Sequence, residues 1–381
     1  MQFTFTPEEE AFRKQIGEFL DANAPHRETE NEDKPDRSLE RALAQHGWLT
    51  MAWPVQYGGL GASHMQQLIF KEELARVGGT FDFLGINLAG PTIMMHGSDE
   101  LRSEHLPRIA KAEVRWCQGF SEPSAGSDLA SLQTRAVRDG DDFIINGQKI
   151  WTSGAHLADW VLLLTRTDPE APKHRGISMF AVDMRSPGVE VRPLTQLTGV
   201  HGFNEVYFED VRVPATNMIG ELNRGWYAAT TTLDFERSGI ERNLTARKDW
   251  DRLHRWLRDG GLASMAGRAP SWRAKLADLR IECEIGTWLA RRVAYMQGHG
   301  LVPNYESSMS KTFNSELGQR VADFGLTLTG LAGQVRSGPG AAIDGIPAFR
   351  YLDARRLTIG QGTSEINRNI IATRGLGMPR G

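Results

Sequence analysis

Apolar positions in the first third of the chain recur at the period of a helix. "TPEEEAFRKQIGEFLDAN" opens with Thr6 as N-cap, Pro7 at the first helical position and Glu9 three residues after the cap. Phe12, Ile16 and Phe19/Leu20 follow at helical spacing. "MQQLIFKEELARVG" sets Leu68 and Leu74 against Lys71/Glu72 and stops at Gly78-Gly79, and "SDELRSEHLPRIAKAE" is capped by Ser98. Near residue 116 the period changes. "QTRAVRDGDDFIINGQKIW" carries turn dipeptides at Asp139-Gly140 and Asn146-Gly147 around a short β-type run, Phe143 to Ile145. Strands are expected at "WVLLLTR", "GISMFAVDM", "VEVRPL" and "NEVYFEDVRV", close together with no helix between them, which argues a compact antiparallel unit. Helical patterns return over 226–258, 272–298, 306–332 and 363–374.

Composition narrows the class. At 381 residues the chain is too long for one ordinary core. Hydrophobic residues at 40% and charged residues at 24% suit a globular protein. A net charge of −3 without a Lys/Arg block argues against a dedicated nucleic-acid binder. Two distant cysteines, Cys117 and Cys283, exclude a disulfide framework or Cys-rich metal site. The N-terminus lacks an apolar signal core and no run reaches membrane-span length, so a cytoplasmic protein is expected. "YGGLGASH" follows no credible strand and lacks a third glycine, which leaves a nicotinamide-binding βαβ unit unsupported. HExxH, GxSxG and P-loop motifs are absent from the sequence. What remains is "LTIGQGTSEINRN", where Gln361 stands between glycines ahead of a helix capped by Thr363 or Ser364.

"WCQGFSEPSAGSDLASLQTRAVRDGDDFIINGQKIWTSGAHLADWVLLL", "GISMFAVDM", "EVYFEDVRVP" and "GQGTSEINRNIIATRGLG" together strongly resemble the acyl-CoA dehydrogenase family. The nearest flavour is the bacterial branch acting on sterol side chains and other unusual acyl-CoAs. The resemblance covers essentially the whole chain. It implies an α+β multidomain fold: an N-terminal helical domain (1–115), a middle antiparallel β-barrel or sandwich (116–225) and a C-terminal four-helix bundle (226–381). It implies FAD, with Gln118, Phe120 and Ser121 lining the isoalloxazine, Trp151 and Ser153 opposite, and Thr363 and Glu365 beside Gly362 at the nucleotide. Ser127 matches a position near the bound thioester. An electron-transfer flavoprotein or similar acceptor and a homo-oligomer are further implications.

The sequence departs from the family at the residue that does the chemistry. Thioester α-protons are weakly acidic, and a carboxylate must be held against one in a dry pocket. Well-known members place a Glu where this chain has Gln361, whose amide takes no proton. Either the chain is inactive or another carboxylate serves. Some branches carry the base in a segment resembling "LDFERSG", where Glu236 falls on the position; Glu241 is an alternative. Gln361 then lines the site, its backbone N–H still able to polarise the thioester carbonyl. The Arg-x-x-Phe-Gly segment that clasps FAD across a subunit interface is also altered in "DGGLASMAGRAP", leaving Arg268 as a loose candidate, and "TGLAGQVRSG" keeps Gln334 without the usual Gly-Gly. An α2β2 assembly with an unlike family member is therefore open, as is a non-catalytic subunit. A flavin oxygenase or oxidase on the same fold is a third class.

Overall fold

The computed structural model describes residues 5–24, 37–79, 84–235, 240–261 and 271–379. Contacts divide the chain into two compact units. One comprises Asn23–Ala62 and Gly79–Glu236; the other comprises Met1–Ala22, Ser63–Gly78 and Arg237–Gly381.

The first unit is built on a seven-stranded sheet: β1 (Trp116–Gly119), β2 (Arg135–Asp139), β3 (Asp142–Lys149), β4 (Trp160–Arg166), β5 (Ile177–Asp183), β6 (Val189–Leu194) and β7 (Phe203–Pro214). The order is β1-β4-β2-β3-β7-β6, with β5 on β4. β2–β3, β3–β7, β6–β7 and β4–β5 are antiparallel, as the short spacing leads one to expect. β1 and β2 run parallel to β4, in registers Trp116↔Trp160 and Arg135↔Arg166. β4 and β5 are apolar at nearly every position because both of their faces are covered: Val161–Leu164 and Ile177–Val182 are buried without a break. β6 pairs only with β7, and at this edge Pro193 is tolerated. The core gathers Phe143, Ile145, Val161, Leu163, Phe180 and Phe208. Each such side chain contributes about 1.5–3 kcal/mol by leaving water.

Asn146-Gly147, read from the sequence as a turn, is instead an irregularity inside β3. The register to β7 shifts between Ile145 and Gly147. Gly147 has φ +153, and a Cβ there would lie 2.6 Å from Thr134 Cα, so the bulge needs glycine. Asp139-Gly140 does turn the chain, with Asp139 paired to Asp142 and Gly140 at φ +64.

Helices α1 (Pro7–Asn23), α2 (Arg37–Gln45), α3 (His64–Arg76), α4 (Gly90–His96) and α5 (Asp99–Ala110) precede the sheet. Thr6 and Glu9 bond reciprocally to each other's backbone N–H, the capping box expected from the sequence. Ser63 and Gln66 form a second. His105 of α5 lies fully buried, edge-on to Trp116 (5.1 Å) and Trp160 (4.5 Å). Neither ring nitrogen has a hydrogen-bond partner, and burial lowers the imidazole's pKa. The folded state therefore holds a neutral ring that the unfolded chain protonates near pH 6.5. Stability is full above that pH and falls as pH drops below it, by up to about 1.4 kcal/mol per unit. Comparing thermal midpoints at pH 7.5 and 5.5 for the wild type and His105→Phe checks this; the variant should lose part of the acid sensitivity.

After the sheet come α6 (Gly225–Phe235), α7 (Ile240–Trp256), α8 (Ser271–Gly298), α9 (Tyr305–Thr329), α10 (Ile346–Asp353) and α11 (Ser364–Ile370). The run expected over 226–258 thus falls into two helices, α6 in the first unit and α7 in the second. In the second unit α7, α8 and α9 pack around Leu253, Leu279, Cys283, Leu317 and Val321. α3 joins them, Leu68 lying with Ile240, Ala290 and Ala294. A buried polar knot ties the three long helices. Asn243 Nδ2 donates to Asn314 Oδ1 (3.1 Å) and Cys283 O (3.0 Å), and Thr287 Oγ1 donates to Asn243 Oδ1 (2.8 Å). Gly286 makes room for it, since a Cβ there would sit 2.1 Å from Asn314 Oδ1. Among the described residues no helix is long and apolar enough to cross a membrane, and no group of three or more His, Cys, Asp and Glu could hold a metal ion.

Candidate active site

In the first unit the segment after β1 and the segment after β3 lie together. Gln118 sits within β1, half-buried; Phe120 is buried and Ser121 half-buried. Ser121 O accepts from Ile150 N at 2.9 Å, which brings Ser121 beside Trp151. Trp151 is 55% exposed with φ +59, and packs edge-on to Phe203 at 6.0 Å. An exposed indole in a left-handed backbone is a strained, presented apolar surface. Ser153 is exposed on the same turn, and Thr152 Oγ1 is buried without a partner. Thr152 and Asn204 exchange both backbone bonds (3.0 and 3.1 Å), and Asn204 Nδ2 adds a third to Thr152 O at 3.0 Å. The Asn204 amide also meets His201 Nε2 (2.8 Å) and His156 Nδ1 (3.2 Å), whose rings stack at 4.2 Å. Ser127 is exposed in the loop before Leu129.

A charged pair, unread in the sequence, pins this loop. Lys149 is completely buried and donates to Glu122 Oε1 at 2.7 Å and to Phe120 O at 3.1 Å. Glu122 further accepts from the backbone N–H of Gln133 (2.6 Å) and Thr134 (2.9 Å). Burial opposes the Glu122 charge, but Lys149 and these hydrogen bonds outweigh it and hold the carboxyl below its usual range. Burial dominates at Lys149, pushing its pKa down to about 8 despite Glu122. "EPSAGSD" and "NGQKIW" each display one partner, yet 27 residues separate them and no spacing rule joins them.

In the second unit the terminal loop carries Gln361 at φ +57 and Gly362 at φ +80, both exposed. Thr363, the N-cap of α11, accepts from Ile366 N. Residues on both sides of Gln361 line an open cleft of about 320 Å³: Thr358, Ile359, Thr363, Ser364, Glu365 and Arg368, with Glu316 and Gln319 from α9. That volume lies at the lower end of small-molecule sites. Ser364 Oγ is buried without a partner at this cleft. The hydroxyls of Thr363 and Ser364 and the Glu365 carboxylate suit the sugar hydroxyls of a nucleotide, while Arg368 is held by Glu316 and Glu365, so the residues present fit the sugar in the nucleotide half of FAD. Gln334 is exposed in the turn after α9 and does not line the cleft. Glu236 and Arg268 lie outside the described residues, and Glu241 falls in the first turn of α7.

Family models match along the chain in order: the acyl-CoA dehydrogenase N-terminal domain over 6–113, the middle domain over 117–211 and the C-terminal domain over 223–376. The chain belongs to the acyl-CoA dehydrogenase family. Its class is thus that of the flavoprotein oxidoreductases. It is 38% identical over 347 residues to acyl-CoA dehydrogenase FadE34 of Mycobacterium tuberculosis, a match covering 91% of this chain and 47% of that protein. The chain therefore spans about half the length of FadE34. The structure of the Tcur3481-Tcur3483 steroid ACAD aligns over 100% of both chains with a TM-score of 0.91 and 32% identity. The ChsE4-ChsE5 complex from Mycobacterium tuberculosis aligns over 100% of both chains with a TM-score of 0.90 and 35% identity. Membership accounts for the helix–sheet–helix order and for the quoted motifs. Glu122, Lys149 and Asn204 escaped the sequence reading because their partners come from distant segments.

Proposed function

We propose that this chain removes the α-proton and β-hydride of an acyl-CoA thioester to give the trans-2-enoyl-CoA, with Glu236 as base. The observation that carries the reading is the terminal loop: the position that presents a Glu in well-known members presents Gln361, beside an open cleft of about 320 Å³. An amide cannot take the proton, so the loop binds and orients while a carboxylate elsewhere abstracts. FAD, when bound, supplies the hydride acceptor. Phe120 and Trp151 offer its ring apolar surface, Gln118, Ser121 and Ser153 offer hydrogen bonds, and Thr363, Ser364 and Glu365 hold the nucleotide. Arg268 and Gln334 complete this list from the sequence resemblance alone. Ser127 and the Gln361 backbone N–H bind the thioester, the latter stabilising the enolate-like charge.

The likeness to the Tcur3481-Tcur3483 steroid ACAD supports a steroid-type or other unusual acyl group as substrate. An electron-transfer flavoprotein is the proposed electron acceptor, the cytoplasm the proposed location, and 1–115, 116–225 and 226–381 the proposed domains. A second reading makes the chain one half of an α2β2 enzyme; the two-component ChsE4-ChsE5 complex and the altered Phe-Gly segment favour it.

The test is a visible spectrum of the purified chain during anaerobic addition of acyl-CoAs, straight-chain and steroid-type. A yellow protein bleached by one class of thioester supports the first reading and names the class. A colourless chain that turns yellow and active only when co-expressed with an unlike family member supports the second.

A further inference from the structure

The underside of the terminal loop is gripped by a buried ammonium to which the chemistry above gives no part. Lys311 of α9 is 6% exposed, and its Nζ donates to Gly362 O at 2.6 Å. Asn367 Nδ2 donates to the same oxygen and to Thr363 O, each at 3.0 Å. On the other side of Gln361, Gly360 N donates to Arg356 O at 3.1 Å. Between these anchors Gln361 and Gly362 are consecutive left-handed residues. A glutamine keeps that conformation only where its surroundings impose it. Peptide groups are planar, so a carbonyl held at Gly362 fixes the plane of the Gly362–Thr363 peptide, and with the cap at Thr363 it anchors the C-terminal side of the turn.

We propose that Lys311 is the positioning residue of the Gln361–Gly362 turn, its buried amino group holding the loop in the form that meets the thioester. This rests on the proposed reading of Gln361 as a site-lining residue. The charges that bear on Lys311 are known element by element. α7 contributes Arg242, which opposes the ammonium; α9 contributes Glu316 and α11 contributes Glu365, which favour it. Arg368 of α11 sits 2.5 Å from Glu316 and 3.7 Å from Glu365, so both carboxylates are shared. Burial first, then Arg242, pushes the Lys311 pKa down to about 8. A pKa lower in the clamped loop than in a released one means that the clamped form favours the neutral amine, which still donates to Gly362 O. The grip therefore tightens as pH rises through about 8.

The experiment follows hydrogen exchange of a peptide spanning 358–366 from pH 7 to 9.5, corrected for intrinsic rates, in the wild type, Lys311→Met and Lys311→Arg. In the wild type, corrected exchange should step down as pH rises through about 8. Lys311→Met should raise it about tenfold or more already at pH 7, with the α8 peptides unchanged. Lys311→Arg, whose charge does not titrate in this range, should show no step. A wild-type profile without a step, a step that persists in Lys311→Arg, or wild-type protection in Lys311→Met would each overturn the proposal. Should Lys311→Met fail to fold, the wild-type and Lys311→Arg profiles decide alone. On an acyl-CoA that bleaches the wild type, kcat of Lys311→Met should fall at least about tenfold while KM moves much less, an interaction used in the transition state. If no thioester bleaches the wild type, the functional reading fails while the exchange data still decide the clamp.

Discussion

Lys149→Met should destabilise the sheet-bearing unit by about 3–5 kcal/mol, the cost of leaving one member of a buried ion pair without the other. Lys149 is wholly buried and the Glu122 side chain 5% exposed, so water cannot replace the lost ammonium. Methionine fills much the same volume, which separates the electrostatic effect from a cavity. The remaining carboxylate keeps the N–H donors of Gln133 and Thr134 but loses its neutralising charge. Its way out is to take up a proton, so the variant should recover part of the lost stability as pH falls toward 5. Urea unfolding at pH 7.5 and 5.5 measures both effects. Glu122→Gln strands the Lys149 ammonium in turn, but that group, already lowered to about 8, can shed its proton, so this variant should recover stability as pH rises. Equal stability of wild type and Lys149→Met at pH 7.5 would show that the pair is not holding the loop. A secondary consequence concerns Phe120, whose carbonyl Lys149 also holds. Its release should lower the flavin content of the purified variant.

What the sequence discloses and what it hides divide along the distance between interacting groups. The capping box at Thr6 and Glu9, the Ser98 cap and the Asp139-Gly140 turn are local contests, decided within four residues and readable from them. The continuous apolar runs of β4 and β5 likewise announce strands buried on both faces. Asn146-Gly147 misleads because a bulge and a turn make the same local demand for a positive φ; only pairing with β7, some sixty residues on, chooses between them. The parallel pairing of β1 with β4 leaves no trace in either segment alone. The site behaves in the same way. Gln361 drew notice through its flanking glycines, whereas Lys311, which holds Gly362, lies 51 residues upstream in a helix whose pattern marks it only as one polar position among several. Family resemblance supplied positions such as Ser121 and Trp151 that no physical rule would pick out, because a Ser or a Trp is common in loops of every kind.

Glu236→Gln should reduce turnover with the preferred acyl-CoA by about 10²–10⁴-fold, the range expected when a positioned base is removed. The substitution keeps size and hydrogen-bonding capacity and removes only the ability to accept a proton. Substrate should therefore still bind, and its addition should still perturb the flavin spectrum without bleaching it. That combination separates loss of the base from loss of the pocket. Gln361 sharpens the expectation: with an amide there, the position that carries the base in well-known members cannot stand in. Glu241→Gln is the control, since Glu241 falls five residues later, in the first turn of α7. If Glu241→Gln loses turnover and Glu236→Gln does not, the base is Glu241 and the "LDFERSG" match has misdirected the assignment. If both variants keep full activity in the presence of an unlike partner chain, the proton is taken by the partner, and this chain contributes binding surface rather than chemistry. The three outcomes differ in which variant fails to bleach under anaerobic titration, so a single series with both variants, alone and with a partner, decides among them.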